Sequence, residues 1–335
     1  MNFGIIGCGK AAQKHAEQIS LSGKLIAVCD IDHSKANALG KKYQAQPYYN
    51  IDDLLSREKS INVFAVCTPN YLHKEHTVAC LRHGGHVVCE KPMAIHISDC
   101  KAMIAEAESK GKELFIVKQN RFNPAVIAVK ELLNKKKIGT IYSVHVNCIW
   151  NRNDEYYFNS WRGKKMLDGG ILFTQFSHFI DLLYWMFGEV EYVTAITSNL
   201  AHQKTIEFED TGVACLKFES GTLGSIHFSI NSYKKNMEGS LTIIAEKGTI
   251  KIGGEYLNKL EYQQIENYTI EKLSTGNGEN DYGFYTGSMS NHNLIYRHVN
   301  DVLQKGIKNE FNGYYGLKTV EIIEKIYEAA NAPRF

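Results

Sequence analysis

The opening stretch "NFGIIGCGKAAQKHAEQIS" constrains the fold more than any other part of the chain. An apolar run ends in glycine and passes directly into residues of helical composition, which predicts a strand, a tight turn and a helix. The pattern then recurs. "KLIAVCDID" is a second strand followed by the helix "HSKANALGKKY", and the Val-rich runs "INVFAVCTP" and "GGHVVCEKP" flank the helix "YLHKEHTVACLRHG". Strands that are apolar along their whole length and separated by helices predict a parallel sheet covered on both faces. A helix over 98–110 and the run "LFIVKQN" extend it.

After residue 121 the pattern changes. "IGTIYSVHVNCIWN" reads as a long strand and "GGILFTQFSHFIDLLYWMFG" as one buried helix. "EYVTAITSNLA", "TGVACLKFESGTLGSIHFSINS", "GSLTIIAEKGTIKIGG" and "NKLEYQQI" follow as strands joined at Gly221, Lys247-Gly248 and Gly253-Gly254. This predicts a second domain of α+β type with mostly antiparallel strands. The closing helices are "GSMSNHNLIYRHVNDVLQKG", with Ser290 as N-cap and Gly306 as stop, and "GYYGLKTVEIIEKIYEAAN". A chain of 335 residues accommodates two domains, expected at 1–120 and 121–335.

The formal charge of +2 gives no case for nucleic-acid or membrane-surface binding, and the run "NKKKIG" reads as a solvated helix end. Eight cysteines without a CxxC pair fit reduced, buried thiols rather than a disulfide framework. His73 with His76, and His83 with His86, have a spacing that zinc could use, but no further ligand follows and no metal site is expected. No leader pattern or spanning segment is read in the chain, so the expected location is the cytoplasm.

"GIIGCGKAA" fits G-x-G-x-x-G/A with Gly7, Gly9 and Ala12 in a strand-turn-helix context. Cys8, Lys10 and Ala11 then line a turn whose helix N-terminus offers free amides and partial positive charge to a pyrophosphate. Asp30, about twenty residues on and at the end of the second strand, can accept hydrogen bonds from the adenine-ribose hydroxyls and would repel a 2′-phosphate. NAD is the expected cofactor. The competing readings are Asp30 as a helix cap, and Lys35 or Lys41 reaching the ribose. Ligands in such sheets sit outside the carboxyl ends of the strands. Thr68, Pro69, Asn70 and His73, then Glu90 and Lys91, then Gln119 are therefore candidate cofactor contacts. An ordinary exposed Glu-Lys pair is the bland reading of residues 90 and 91, but Pro92 restrains the backbone and biases Lys91 toward extended geometry.

Gly7-Cys8-Gly9 with His15, "TPNYLHKEH" at 68–76, "EKP" at 90–92 and "DGGILFTQFSHFIDLLYWMFG" at 168–188 resemble the glucose-fructose oxidoreductase/inositol dehydrogenase family over nearly the whole chain. The resemblance implies an N-terminal Rossmann domain and a C-terminal domain on an open, mostly antiparallel sheet that often forms oligomer contacts, hence a homo-oligomer. It also implies NAD(P)-dependent oxidation of a sugar or cyclitol hydroxyl, with the lysine of EKP in the active site. The family's second signature is an acidic residue followed four positions later by a histidine. Here the histidine is His178, and Thr174 stands at the acidic position; a spacing of four puts both on one helical face. That departure leaves Lys91 and His178 as the ionisable pair, one the base and the other the hydrogen-bond donor, with the roles interchangeable. The bland reading of His178 is a buried histidine satisfied by backbone.

Within the family, "TPNYLH", "NSWRGKKMLDGG" and "GSMSNHNLIY" resemble segments of enzymes that oxidise the 3-hydroxyl of UDP-N-acetylglucosamine or its glucuronate ahead of an aminotransferase. Such an anionic substrate needs cations, and Arg121, Arg162, Lys164 and Lys165 are available. Asn120 and Arg121 follow the last parallel strand; Trp161, Arg162, Thr174, Gln175, His178, Ser290, Asn291 and His292 complete the candidate substrate contacts. Helix capping competes for residues 290–292, and core packing for Trp161. An inositol or free-sugar dehydrogenase is the alternative enzyme; a non-catalytic NAD-binding regulator and a structural oligomer are the alternatives outside catalysis. The oxidation state at C6 and the oligomer size stay open at this stage.

Overall fold

The computed structural model describes residues 1–281, 283 and 285–332. The chain divides into two compact units, Met1–Lys118 with His292–Val320, and Gln119–Asn291 with Glu321–Phe335.

The first unit is built on β1 (Asn2–Ile6), α1 (Lys10–Ser22), β2 (Lys24–Cys29), α2 (His33–Tyr43), β3 (Gln46–Tyr48), α3 (Ile51–Arg57), β4 (Val63–Val66), α4 (His73–Arg82), β5 (His86–Cys89), α5 (Ile97–Ser109) and β6 (Leu114–Ile116). The six strands form one parallel sheet in the order β3-β2-β1-β4-β5-β6. All four residues of β4 are buried, as is every β1 residue after Asn2, because helices cover both faces.

The second unit contains α6 (Pro124–Asn134), β7 (Ile141–Ile149), four helices α7 (Asp154–Tyr157), α8 (Lys165–Asp168), α9 (Ile171–Thr174) and α10 (Ser177–Phe187), and strands β8 (Val190–Ser198), β9 (Thr211–Phe218), β10 (Leu223–Ser229), β11 (Glu238–Ala245), β12 (Gly248–Gly253) and β13 (Lys259–Ile265). Its seven-stranded sheet runs β13-β12-β11-β7-β10-β9-β8, antiparallel except for the β7–β10 pair. Burial alternates strictly along β9, with Ala214, Leu216 and Phe218 inward and Val213, Cys215 and Lys217 outward, the pattern of a sheet with one packed face. A small hairpin, β14 (Glu279–Asp281) with β15 (Thr286–Met289), ends the unit's main segment.

Two helices follow, α11 (His292–Lys305) and α12 (Gly313–Asn331). The sequence reading placed residues 292–320 with the second domain, whereas in the structure they join the first unit. The cause is the apolar stripe Ile295, Tyr296, Val299 and Val302, all buried, with Tyr296 edge-on to Phe3 of β1 at 5.9 Å. Among the described residues no helix is long and apolar enough to cross a membrane.

Candidate active site

Gly7 sits at φ +89°, and a Cβ there would lie 2.8 Å from the Cys67 and Thr68 backbone. Only glycine serves where the turn meets the end of β4 so closely. Gly9 differs, since nothing lies within 4 Å of its Cβ position. It precedes α1 as an N-cap with no side-chain capping bond, at the end of the helix whose partial positive charge suits an anion. Lys10 is exposed and Ala11 partly so. The Cys8 thiol is buried and its pKa is pushed up to about 12 by that burial, which keeps it inert.

Asp30 closes this turn. Its Oδ2 accepts the Cys8 N–H at 2.7 Å and its Oδ1 accepts the Asp32 N–H at 2.8 Å. Each oxygen retains a second lone pair for a ribose hydroxyl. The helix cap is a different residue: Asp32 accepts from Ser34 and Lys35 at the start of α2, and the Lys35 ammonium pairs with it at 3.1 Å. The open cradle at Gly9, the uncapped α1 N-terminus and the Asp30 carboxylate fit a dinucleotide.

The loop after β4 is braced onto the EKP segment. His73 is buried, with Nε2 2.8 Å from the Thr68 carbonyl and Nδ1 2.7 Å from the Pro92 carbonyl. Burial pushes its pKa down. Both ring nitrogens face backbone carbonyls, one of which accepts the N–H of the neutral ring, so His73, expected as a cofactor contact, packs between two loops. Pro69 is partly exposed and Asn70 buried beside it.

Glu90 is the centre of a buried cluster that sequence reasoning did not assemble. Its Oε1 lies 2.8 Å from His15 Nε2 and 3.4 Å from His292 Nε2, and Oε2 accepts the Lys91 N–H at 3.1 Å. His15 Nδ1 meets the Tyr296 hydroxyl at 2.7 Å. Burial alone would raise the Glu90 pKa, but the bonds from His15 and His292 outweigh it and hold the carboxyl well below the usual range. His292, expected as a substrate contact, thus belongs to this cluster. The ligand atoms of His15, Glu90 and His292 lie within 4.8 Å of one another. The 2.8 Å separation is that of a hydrogen bond, whereas two ligands of a tetrahedral zinc stand roughly 3.3 Å apart.

In the second unit Gln119, Asn120 and Arg121 form a buried helical turn. Gln119 Oε1 and both amide atoms of Asn120 are buried without a hydrogen-bond partner. Buried amides are rarely left so, and these atoms could take up a ligand's polar groups. Arg121, expected to meet substrate, forms a bidentate pair with Asp181, both bonds 2.7 Å and both side chains 2% exposed. Asn291 likewise serves the turn itself, donating to the Gln119 carbonyl at 3.1 Å and to Asn123 at 2.8 Å. The Ser290 amide bonds to the Gly278 carbonyl at 2.8 Å.

The expected single helix over 169–188 is two. The Phe176 amide bonds to the Ile171 carbonyl five residues back, interrupting the ladder, and α10 starts afresh at Ser177. Thr174 and His178 therefore lie on different helices, and their spacing of four does not define a shared face. Thr174 instead donates to the carboxylate of Asp168, which is buried and also accepts the Gly163 N–H at 2.8 Å. His178 is buried at the start of α10. Gln175 is consumed at both ends, accepting from Arg152 Nε at 2.8 Å and donating to the Tyr156 hydroxyl at 2.8 Å. Arg162 stacks over the Tyr156 and Trp161 rings at 4.9 and 5.1 Å, with its Nε buried and unpartnered. Lys164 and Lys165 are exposed.

His15, Tyr296, Asp168 and Arg152 were not assigned from sequence. His15 carried a signal: it lies in the buried stripe Ala12, His15, Ala16, Ile19 of α1. A polar ring in such a stripe demands a partner.

Residues 1–118 match the model of an oxidoreductase family with an NAD-binding Rossmann fold, GFO/IDH/MocA, and residues 126–251 match the C-terminal domain of the same family. The structure is similar to the WlbA dehydrogenase from Bordetella pertussis in complex with NADH and UDP-GlcNAcA, with a TM-score of 0.90 and 33% identity, covering 100% of this chain and 99% of that one. Among curated relatives, the 2,7-anhydro-N-acetylneuraminate hydratase of Escherichia coli is 28% identical over 79% of this chain and 74% of its own length. Inositol 2-dehydrogenase 2 of Saccharopolyspora erythraea is 26% identical over 81% and 79%.

Proposed function

The chain belongs to the GFO/IDH/MocA oxidoreductase family, and on that premise we propose that it oxidises the 3-hydroxyl of UDP-N-acetylglucosamine or UDP-2-acetamido-2-deoxy-glucuronate to the 3-keto sugar. NAD, when bound, accepts the hydride. The observation that carries the reading is the end-to-end likeness, at 33% identity, to a dehydrogenase that holds NADH and UDP-GlcNAcA. The unpartnered Asn120 amide and Arg162 Nε support it, because a polar nucleotide-sugar supplies the acceptors and donors they lack. Lys91 and His178 carry the proton chemistry: one takes the hydroxyl proton and the other donates a hydrogen bond to the same oxygen. A 3-keto nucleotide-sugar is the substrate an aminotransferase requires, so the reaction fits nucleotide-sugar and polysaccharide synthesis in the cytoplasm.

A homo-oligomer is part of this reading. The register of the second sheet puts Tyr192, Ile196, Val213, Leu223, Ile244 and Tyr262 on its outer face, all exposed. An apolar face of that extent suits a second copy of the chain.

The test incubates the protein and NAD with UDP-GlcNAc, its uronate, myo-inositol and glucose, with a keto acid present to reoxidise NADH, and analyses products by mass spectrometry. A product two hydrogens lighter is expected from a nucleotide-sugar alone. Oxidation of inositol or glucose, with the nucleotide-sugars untouched, would overturn the reading.

A further inference from the structure

We propose that Asp32 is a second residue that discriminates against a 2′-phosphate, because its carboxylate holds the Lys35 ammonium and adds negative charge beside Asp30. The inference concerns the choice between NAD and NADP and goes beyond the sugar reading above.

Asp30 and Asp32 are tied together, the Asp32 N–H donating to Asp30 Oδ1 at 2.8 Å. That bond puts the start of α2 next to the carboxylate that a ribose would meet. Lys35 lies in the first turn of α2, and its ammonium pairs with Asp32 Oδ2 at 3.1 Å. The other oxygen, Oδ1, accepts the Ser34 N–H at 3.0 Å, the Lys35 N–H at 3.4 Å and the Ser34 hydroxyl. These bonds, that of the Ser34 hydroxyl foremost, bring the Asp32 pKa down to about 2, so the carboxylate is ionised in any ordinary buffer.

The helices that follow β1 and β2 therefore begin in opposite ways. Gly9 leaves α1 without a side-chain cap, whereas α2 is capped by an anion of the chain itself, which occupies its first amides. The Asp32–Lys35 pair adds little to stability, since the lysine side chain is 55% and the aspartate 40% exposed. Its consequence is local charge. A phosphate on the ribose would meet two carboxylates and a lysine that is already paired. Lys41, the other lysine that the sequence offers, lies in the last turn of α2, about 9 Å further along the helix axis. Lys35 is thus the ammonium that Asp32 withholds.

The experiment measures the Kd of NADH and of NADPH by cofactor fluorescence on the full chain, in wild type, Asp32→Asn, Lys35→Met and Asp32→Asn/Lys35→Met. It needs no sugar, so its outcome is separate from that of the functional assay. Asparagine caps a helix as well as aspartate does, so the fold is kept while the ion pair is lost. Asp32→Asn should tighten NADPH roughly five- to twentyfold at low salt and leave NADH within about twofold. The gain should shrink at high salt, where exposed charges are screened. Lys35→Met alone should weaken NADPH by about threefold at most, and added to Asp32→Asn it should cancel most of the gain. NADPH bound no more tightly by Asp32→Asn, or Lys35→Met weakening it equally in both backgrounds, would overturn the proposal. If Asp32→Asn fails to fold, Asp32→Ser, which also caps the helix without a charge, carries the same expectation, and unchanged NADPH affinity there counts against the proposal.

Discussion

Thr174 donates its hydroxyl proton to Oδ1 of Asp168, whose Oδ2 accepts the Gly163 N–H. A buried carboxylate with both oxygens engaged is a satisfied group, and losing a partner exposes its desolvation cost. Thr174→Val should lower unfolding stability by about 1.5–3 kcal/mol in urea melts. Thr174→Asp should be worse, because two buried carboxylates would then compete for one proton. The double variant Thr174→Asp/Asp168→Asn should recover most of the loss. A Thr174→Asp variant as stable as wild type would show that the hydroxyl does not anchor Asp168.

The Arg121–Asp181 pair is fully desolvated, with two bonds of 2.7 Å. Asp181→Ala leaves a buried guanidinium uncompensated and should cost about 3–5 kcal/mol. Arg121→Met/Asp181→Leu removes both charges and should restore most of that stability. The same double variant separates structure from recognition. Its KM for nucleotide-sugar should stay within a few-fold of wild type; a rise beyond tenfold would return Arg121 to the substrate contacts.

The parallel strands and the glycine turn were legible because short-range patterns specify them: continuous apolar runs, a positive-φ glycine, an acid at a strand end. Glu90 shows the limit. Its partners His15 and His292 lie 75 and 202 positions away, and only topology brings them together. Residues 292–320 group with the first unit for the same reason, since an amphipathic stripe announces a helix but not the surface it covers. The break between α9 and α10 has no glycine or proline to mark it. It coincides with Thr174 held by Asp168 and Gln175 held by Arg152 and Tyr156, contacts a local reading does not contain.

Glu209 carries a pH-dependent penalty. Burial, against the bond from Tyr327 at 2.6 Å, pushes its pKa up to about 7 from 4.5. Between those values the folded chain holds a proton that the unfolded chain has released, so stability falls as pH rises through the window and the full cost applies above it. The cost is about 3 kcal/mol. Glu209→Gln retains an acceptor for Tyr327, and should raise the urea midpoint at pH 8 while leaving it almost unchanged at pH 4. Equal effects at both values would mean that the carboxyl is ionised throughout.

Asp30 joins the glycine turn to β2 through Cys8 and keeps a lone pair on each oxygen. Asp30→Asn removes the charge and turns one acceptor into a donor aimed at a backbone N–H, so the turn should loosen as ribose contacts are lost. NADH affinity, followed by cofactor fluorescence, should fall roughly ten- to a hundredfold, since each tenfold is about 1.4 kcal/mol and two charge-assisted hydrogen bonds are at stake. NADPH affinity should fall less or rise, because the repulsion between a carboxylate and a 2′-phosphate disappears with the charge. An Asp30→Asn protein that binds NADH as tightly as wild type, with unchanged discrimination against NADPH, would confine Asp30 to holding the turn.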